Sequence, residues 1–219
     1  MTLSEKVYAK LRHMIISERF RDDAVLSERS LAAQLDVSRV PVREAIQSLA
    51  REGLLTVRPR SGIQIRRLSL EEVREIYEVR QALEGMAAYL CSKRPVRKPM
   101  KTMRVELEKR ASAKSVDHAK IQAMSSAFHR LMFELCDNSQ LRSVYETVEP
   151  KIDLNLRLTA VHAPSRIEQA HEEHIAIARA IESGAAARAE RLTRVHLENG
   201  KNARLKILSS LNHESFSCR

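Results

Sequence analysis

Three histidines lie on the apolar faces of three separate segments with helical periodicity. His129 stands next to a phenylalanine, His174 shares a face with isoleucines and alanines, and His196 shares one with leucine and valine. Neutral imidazole is a ligand for zinc, nickel, iron and copper, and helical bundles build metal sites from inward-facing side chains of several helices. The pattern indicates a metal centre, while each histidine taken singly also fits a hydrogen-bonded place in the core.

Two opposite charges also fall on an apolar helical face. Arg80 and Glu84 lie one turn apart, so the carboxylate is within reach of the guanidinium and can neutralise it if both are buried. A guanidinium also binds the carboxylate of a small ligand through two parallel hydrogen bonds. The sequence leaves both partners open for Arg80, and Arg157 on a later helix is a second candidate for the ligand-binding role.

The segments that carry these residues read as helices with no strands between them. From Leu68 onward helical periodicity dominates, and prolines, a glycine and the Asp-Asn pair at 137–138 separate the helices. Capping boxes are predicted at Ser69-x-x-Glu72 and Ser165-x-x-Glu168. The pattern predicts an all-α bundle over residues 68–208, followed by a flexible tail at 209–219. Its six helices are expected at roughly 70–93, 99–113, 116–136, 139–160, 165–182 and 185–208.

The N-terminal part is organised differently. Ser27 is placed to cap a short helix, which ends in a turn at Asp36. Ser38 is placed to cap a second helix, in whose first turn Pro41 is tolerated because no backbone N–H is needed there. Two helices joined by a tight turn, with the second entering the major groove of DNA, are the helix-turn-helix geometry.

Arginines and an apolar stripe occupy different sides of this second helix. Arg39 and Arg43 project from its polar side. An arginine near the N-terminus of such a helix can reach O6 and N7 of guanine. The alternative for each arginine is a local ion pair with Glu44 or Glu52.

Two short apolar runs follow the second helix and read as strands. They cover residues 54–57 and 63–65 and are joined by the basic segment 58–62. The pattern predicts a winged helix-turn-helix domain over residues 1–67, with three helices and a two-stranded wing. The whole chain is therefore expected to be mainly α.

Charge and cysteine content agree with a DNA-binding protein of the cytoplasm. The 219 residues carry a net charge of +10, and residues 1–67 hold 13 Lys and Arg against 8 Asp and Glu. This small basic part is where a polyanion would bind. The three cysteines have no metal-type spacing and their number is odd, which disfavours a disulfide framework. We predict no membrane segment, because no apolar run approaches the length of a bilayer.

Residues 4–67 resemble the winged helix-turn-helix domain of the GntR family of bacterial transcription regulators. The resemblance rests on SER at residues 27–29, VSR-x-PVREA at 37–45, L-x-x-EGLL at 49–55 and RPRSG at 58–62. It implies that arginines of the two helices meet phosphates or guanine edges, and that the wing tip approaches the backbone and the minor groove. The predicted DNA-binding residues are Arg29, Ser38, Arg39, Arg43, Arg58, Arg60, Ser61 and Gly62.

Residues 69 to about 200 resemble the FCD ligand-binding domain found in the FadR branch of the same family. The matching segments are VRQALE at 79–84, FH-x-L at 128–131, EEH-x-x-I-x-x-AI at 172–181 and R-x-HLEN at 194–199. In metal-binding members three histidines and one acidic or amide side chain hold a divalent metal, which implies zinc or nickel on His129, His174 and His196. Ser125 stands in place of the acidic ligand. The predicted effector-binding residues are Arg80, Ser125, Arg157 and His171.

Together these features predict a homodimeric transcription regulator, more often a repressor in this family. It would bind a near-palindromic operator in double-stranded DNA and respond to a small organic acid, with a metal assisting. Two alternatives remain open. One is a metal-dependent hydrolytic enzyme that uses the three histidines, and the other is a regulator that senses an acyl chain without metal.

Overall fold

A computed structural model describes residues 1–16, 20, 24–58, 62–95, 97–111 and 118–217. These residues form nine helices and one small antiparallel sheet, which confirms the predicted mainly α fold. The elements are α1 Leu3–Ile16, β1 Val25–Leu26, α2 Glu28–Leu35, α3 Arg39–Arg51, β2 Leu55–Arg58, β3 Gly62–Ile65, α4 Leu70–Lys93, α5 Arg97–Ala111, α6 His118–Leu135, α7 Ser139–His162, α8 Pro164–Glu182 and α9 Ala186–Ser217.

The chain divides into two compact units. Unit 1 comprises Met1–Leu68 together with Glu149–Arg157, and unit 2 comprises Ser69–Val148 and Leu158–Arg219. The sequence placed the boundary near residue 67, but it did not predict that a middle part of α7 belongs to unit 1. Leu154 is buried in the core of that unit, and Asp153 accepts a hydrogen bond of 2.6 Å from Arg12.

Helices α2 and α3 form the predicted helix-turn-helix. Ser27 caps α2 by accepting a hydrogen bond from the N–H of Ser30 at 3.0 Å, as predicted. Ser38 occupies the corresponding position before α3, but its side chain makes no capping hydrogen bond, so that prediction was wrong. One of the two backbone N–H groups that could donate a hydrogen bond to this cap is missing, because Pro41, three residues further on, has no N–H.

The wing contains one more strand than predicted. Strand β3 lies between β1 and β2, with Val25 opposite Gln64 and Leu55 opposite Ile65. The additional strand is β1, which has only two residues and is too short to show an alternating pattern in the sequence. The tip between β2 and β3, with the predicted DNA contacts Arg60 and Ser61, lies outside the described residues.

The described helices of unit 2 start and end within two residues of the predicted bounds, except at the C-terminal end of α9. Helix α4 starts at the predicted capping box, in which Ser69 and Glu72 bond each other's backbone N–H. Helix α8 instead starts at Pro164, because a proline ring already has the backbone angle of a first helical residue, so the predicted box at Ser165 is not used. Helix α9 continues to Ser217 where a flexible tail was expected, and no glycine or proline interrupts residues 201–217.

Helix α4 packs against α9. Gly200 brings α9 close to the ring of Tyr77, and Gly85 brings α4 close to the side chain of Arg194. The inner side of α4 buries Val73, Ala87 and Cys91 completely. No helix in the described part of the chain is both long and apolar enough to span a bilayer.

Candidate metal centre and DNA-reading surface

The three predicted histidines meet in the interior of unit 2. His129 comes from α6, His174 from α8 and His196 from α9, and all three are buried. The Nε2 atom of His174 lies 3.1 Å from Nε2 of His129 and 3.2 Å from Nε2 of His196. The three Nε2 atoms therefore point at one another around a common centre.

A carboxylate stands behind two of the three imidazoles. Oε2 of Glu84 lies 2.6 Å from Nδ1 of His129, and Oε2 of Glu173 lies 2.6 Å from Nδ1 of His196. A carboxylate next to Nδ1 favours a proton on that nitrogen, which leaves the lone pair on Nε2. Lone pairs of at least two rings thus face the centre of the cluster, as a bound cation requires.

Each of these carboxylates is in turn paired with a buried arginine. Arg80 donates through Nε to Glu84 at 2.6 Å, and Arg166 donates through Nη2 to Glu173 at 2.7 Å. Arg80 is only 3% exposed and Glu84 is fully buried. Of the two partners that the sequence left open for Arg80, the internal carboxylate is present, and an effector-binding role for Arg80 stays a prediction.

The electrostatics of the cluster keep the carboxylates charged and two imidazoles neutral. Burial alone would raise the pKa of Glu84, but Arg80 and His129 outweigh it and lower that pKa to about 2. Burial lowers the pKa of His196 to about 4 against the opposing effect of Glu173. Burial also places the pKa of His174 well below its usual value. At neutral pH these two rings are available as metal ligands.

This arrangement predicts an acid-sensitive fold for the metal-free protein. The pKa of His196 is about 4 in the folded state and 6.5 in a model peptide. The unfolded state therefore binds more protons in that window, so stability is complete above pH 6.5 and is lost as pH falls towards 4, by about 3 kcal/mol for this one ring. Urea unfolding between pH 7.5 and 4.5 with a chelator present measures the loss. His196→Asn should flatten the profile, and an unchanged slope would contradict the assignment.

The other predicted effector residues are distributed differently. Ser125 is half-buried on α6, one turn before His129. His171 is buried, but its Nε2 lies 2.7 Å from the backbone oxygen of Leu107, and it is not part of the histidine cluster. The side chain of Arg157 lies outside the described residues.

Three residues of the centre carry roles that the sequence did not reveal. Glu84 was predicted only as a partner of Arg80, and Glu173 and Arg166 were not singled out. Glu173 directly precedes His174 in the chain, so helical geometry directs the two side chains apart and gives no sign that Glu173 meets His196. Asn199 also donates to Glu173 at 2.8 Å, one turn after His196 on α9.

The predicted DNA-reading surface of unit 1 carries exposed arginines on α3. Arg39 is 62% exposed and Arg43 is 53% exposed. Both contact the carboxylate of Glu28 on α2, not Glu44 or Glu52 as the ion-pair alternative proposed. Glu44 accepts a hydrogen bond from the hydroxyl of Ser4, and Glu52 accepts one from Tyr8.

Two other predicted DNA contacts are also exposed, and a third has a conformational role. Arg29 on α2 and Arg58 at the end of β2 are solvent-exposed. Gly62 has a φ of +81°, and a Cβ there would approach the side chain of Val25 to 2.6 Å. The wing therefore requires glycine at this position whether or not it contacts DNA.

Two family models match the chain, and together they cover most of it. The model of the bacterial regulatory proteins of the gntR family matches residues 3–65, and the FCD domain model matches residues 75–199. The chain belongs to the GntR family. Its first matched region contains the helix-turn-helix, and its second contains the three histidines, so this member is a DNA-binding transcription regulator with an FCD domain.

Individual relatives are similar over most of their length. The probable D-xylose utilization operon transcriptional repressor of Paenarthrobacter nicotinovorans is 30% identical over 81% of this chain and 80% of its own. The HTH-type transcriptional repressor RspR of Escherichia coli is 25% identical over 90% of this chain and 86% of its own. Among solved structures, that of E. coli McbR/YncC superposes with a TM-score of 0.78 over 94% of this chain and 98% of its own, at 18% identity. That superposition shows that this chain and McbR/YncC have the same fold.

Proposed function

We propose that this GntR-family protein is a homodimeric repressor whose FCD domain binds a divalent metal and a small organic acid. The observation that carries the proposal is the convergence of three buried imidazole Nε2 atoms, 3.1 and 3.2 Å apart, from three helices. The names of its relatives, which include transcriptional repressors, support the direction of control. Because such a protein acts on the chromosome, we place it in the cytoplasm.

The histidine residues fit a transition metal. Ligand bonds of about 2.0–2.1 Å with angles between octahedral and tetrahedral values would put neighbouring nitrogens about 2.8–3.4 Å apart. The distances of 3.1 and 3.2 Å from Nε2 of His174 to the other two Nε2 atoms fall in that range. Imidazole ligands that are oriented by carboxylates suit zinc or nickel. Ser125 occupies the position expected for an acidic ligand and carries no charge.

The charges around the histidines favour an acidic effector. Glu84 and Glu173 are balanced by Arg80 and Arg166, so the described groups sum to zero when the imidazoles are neutral. When bound, a divalent metal supplies a Lewis-acidic position that can accept a carboxylate oxygen. With such a cation the buried cluster would carry an excess of positive charge, which a mono- or dicarboxylate would neutralise.

The residues of the chain hold and orient this position. Glu173 accepts a hydrogen bond from Nδ1 of His196, the carboxylate of Glu84 lies 2.6 Å from Nδ1 of His129 and favours a proton there, and Arg80 and Arg166 help to keep both carboxylates ionised. An effector held here changes DNA binding only if its affinity differs between the DNA-competent and DNA-incompetent states. In a two-fold dimer, the two α3 helices would meet half-sites of a near-palindromic operator.

The hydrolytic alternative lacks a suitable base in the two carboxylates next to the histidines. A general base works best with a pKa near the operating pH. Glu84 and Glu173 both have a pKa of about 2, held down by their arginine and histidine neighbours. These carboxylates therefore orient histidines and are poor acceptors for a proton.

The test uses the purified full-length protein, stripped of metal and reloaded with zinc or nickel. Its operator is first selected from random duplexes, and thermal unfolding is then followed with dicarboxylates, sugar acids and acyl-CoAs. We expect an organic acid to raise the melting temperature only in the metal-loaded protein and to weaken operator binding. An acyl-CoA that acts equally well without metal would instead support the acyl-sensing alternative and overturn the proposal.

A further inference from the structure

One carboxylate on α2 contacts both reading arginines of α3. Oε1 of Glu28 accepts from Nε of Arg43 at 3.0 Å, and Oε2 accepts from Nη2 of Arg43 at 2.9 Å and of Arg39 at 3.3 Å. Glu28 is the first residue of α2, directly after the cap at Ser27, and its side chain is only 25% exposed. The carboxylate therefore lies at the start of α2 within hydrogen-bonding distance of both arginines.

The contact uses one edge of the Arg43 guanidinium and leaves another available. Nε and Nη2 form a bidentate pair with the carboxylate, so Nη1 and the second hydrogen of Nη2 point away from Glu28. That end-on edge matches the O6 and N7 acceptors of guanine. A bidentate bond on the near edge also fixes the plane of the guanidinium, which a single contact would not do.

We propose that Glu28 is a specificity-determining positioning residue, which holds Arg43 in the plane needed to read a base and opposes its use as a free phosphate contact. The proposal rests on the DNA-binding role of the family and is independent of the metal and the effector.

The charge of Glu28 affects DNA binding separately from its effect on the plane of the Arg43 guanidinium. The hydrogen bond from Arg43, the largest effect on Glu28, lowers the pKa of its carboxyl, so the group is ionised at neutral pH. A negative charge beside the arginines weakens the attraction of any phosphate backbone, whatever the base sequence. Removing that charge should strengthen binding to random DNA, while loss of the fixed plane should weaken discrimination between bases.

The experiment compares Glu28→Gln with the wild-type full chain on a selected operator, on single-base variants of it and on a random duplex, at three salt concentrations. We expect the ratio of operator affinity to random-duplex affinity to fall about tenfold or more, because good bidentate base readings discriminate by roughly that factor. Affinity for the random duplex should rise, with a steeper salt dependence.

Three further variants separate position from charge and from stability. Glu44→Gln removes the same charge from α3, but its carboxylate contacts Ser4 and no reading arginine, so its affinity ratio should change less than about twofold. Glu28→Asp keeps the charge but shortens the reach to Arg43, so the ratio should fall without a gain on random DNA. Arg43→Ala should lose discrimination at one base pair, and adding Glu28→Gln to it should cost no further discrimination there.

The proposal is overturned if Glu28→Gln, folded as judged by its melting temperature, keeps the wild-type affinity ratio. It is also overturned if Glu28→Asp behaves like wild type, because the carboxylate would then act only as a favourable charge at the start of α2. Metal-stripped protein should give the same results in all arms, which separates this outcome from a failure of the metal and effector proposal.

Discussion

Replacing His174 by alanine should weaken metal binding by more than about 100-fold. His174 is fully buried, and its Nε2 is the atom that lies within 3.2 Å of Nε2 in both other rings, so a metal at the centre loses the ligand common to both pairs. Changes in groups that only orient ligands already cost 10–100-fold in affinity, and removing a direct ligand exceeds that. Competition titration against a chromophoric chelator measures the change. The stabilisation by metal, about 2.7 kcal/mol at a metal concentration 100 times the Kd, should vanish with it.

The same helix provides a matched control for this variant. His171 is buried three residues earlier on α8, but its Nε2 contacts the backbone oxygen of Leu107 and lies outside the cluster. His171→Ala opens a cavity of similar size and should keep wild-type metal affinity. If both variants bind metal as the wild type does, the three histidines pack against one another without holding a cation.

Replacing Arg80 by alanine should destabilise the protein by about 3–5 kcal/mol. The change leaves Glu84 fully buried and without its strongest partner, and removing one member of a buried ion pair costs that much. The loss should appear in urea unfolding of metal-free protein, before any effector is added. It should also reduce metal affinity, because Glu84 orients His129.

An exposed ion pair on the same helix gives the comparison for Arg80. Arg74 contacts Glu71 at 2.9 Å, and both side chains are at least half exposed, so Arg74→Ala should cost less than about 1 kcal/mol. If Arg80→Ala is as stable as Arg74→Ala but no longer responds to an organic acid, the role of Arg80 in neutralising Glu84 is contradicted. Arg80 would then be the effector ligand that the sequence also allowed.

Local signals explain where the sequence prediction succeeded. The cap at Ser27, the capping box at Ser69, the apolar stripes and the turn at Asp36 each depend on residues within about one turn of each other, and the structure contains all of them. The same local reasoning failed where two signals competed. Pro41 deprived Ser38 of a capping partner, and Pro164 started α8 before the box at Ser165.

Contacts between distant residues were beyond such reasoning. Glu28 and Arg43 are separated by 15 positions, and Glu173 and His196 by 23. Charged residues are frequent in this chain, and periodicity assigns each to a helix face without indicating which partner on another helix it meets. Leu154 is a further case, because nothing in its helix distinguishes it as part of the core of unit 1.

The amino-acid sequence alone determined the family, the helix-turn-helix and the three histidines, because these depend on residue type and on spacing along one chain. Only the tertiary structure decided which side chains occupy the space around them. It brings Nε2 of His129, His174 and His196 together, places carboxylates behind two of the rings, and gives Arg80 and Arg43 their acidic partners. The physical reason is that packing of helices far apart in sequence sets these distances, and burial then decides which charges must be paired.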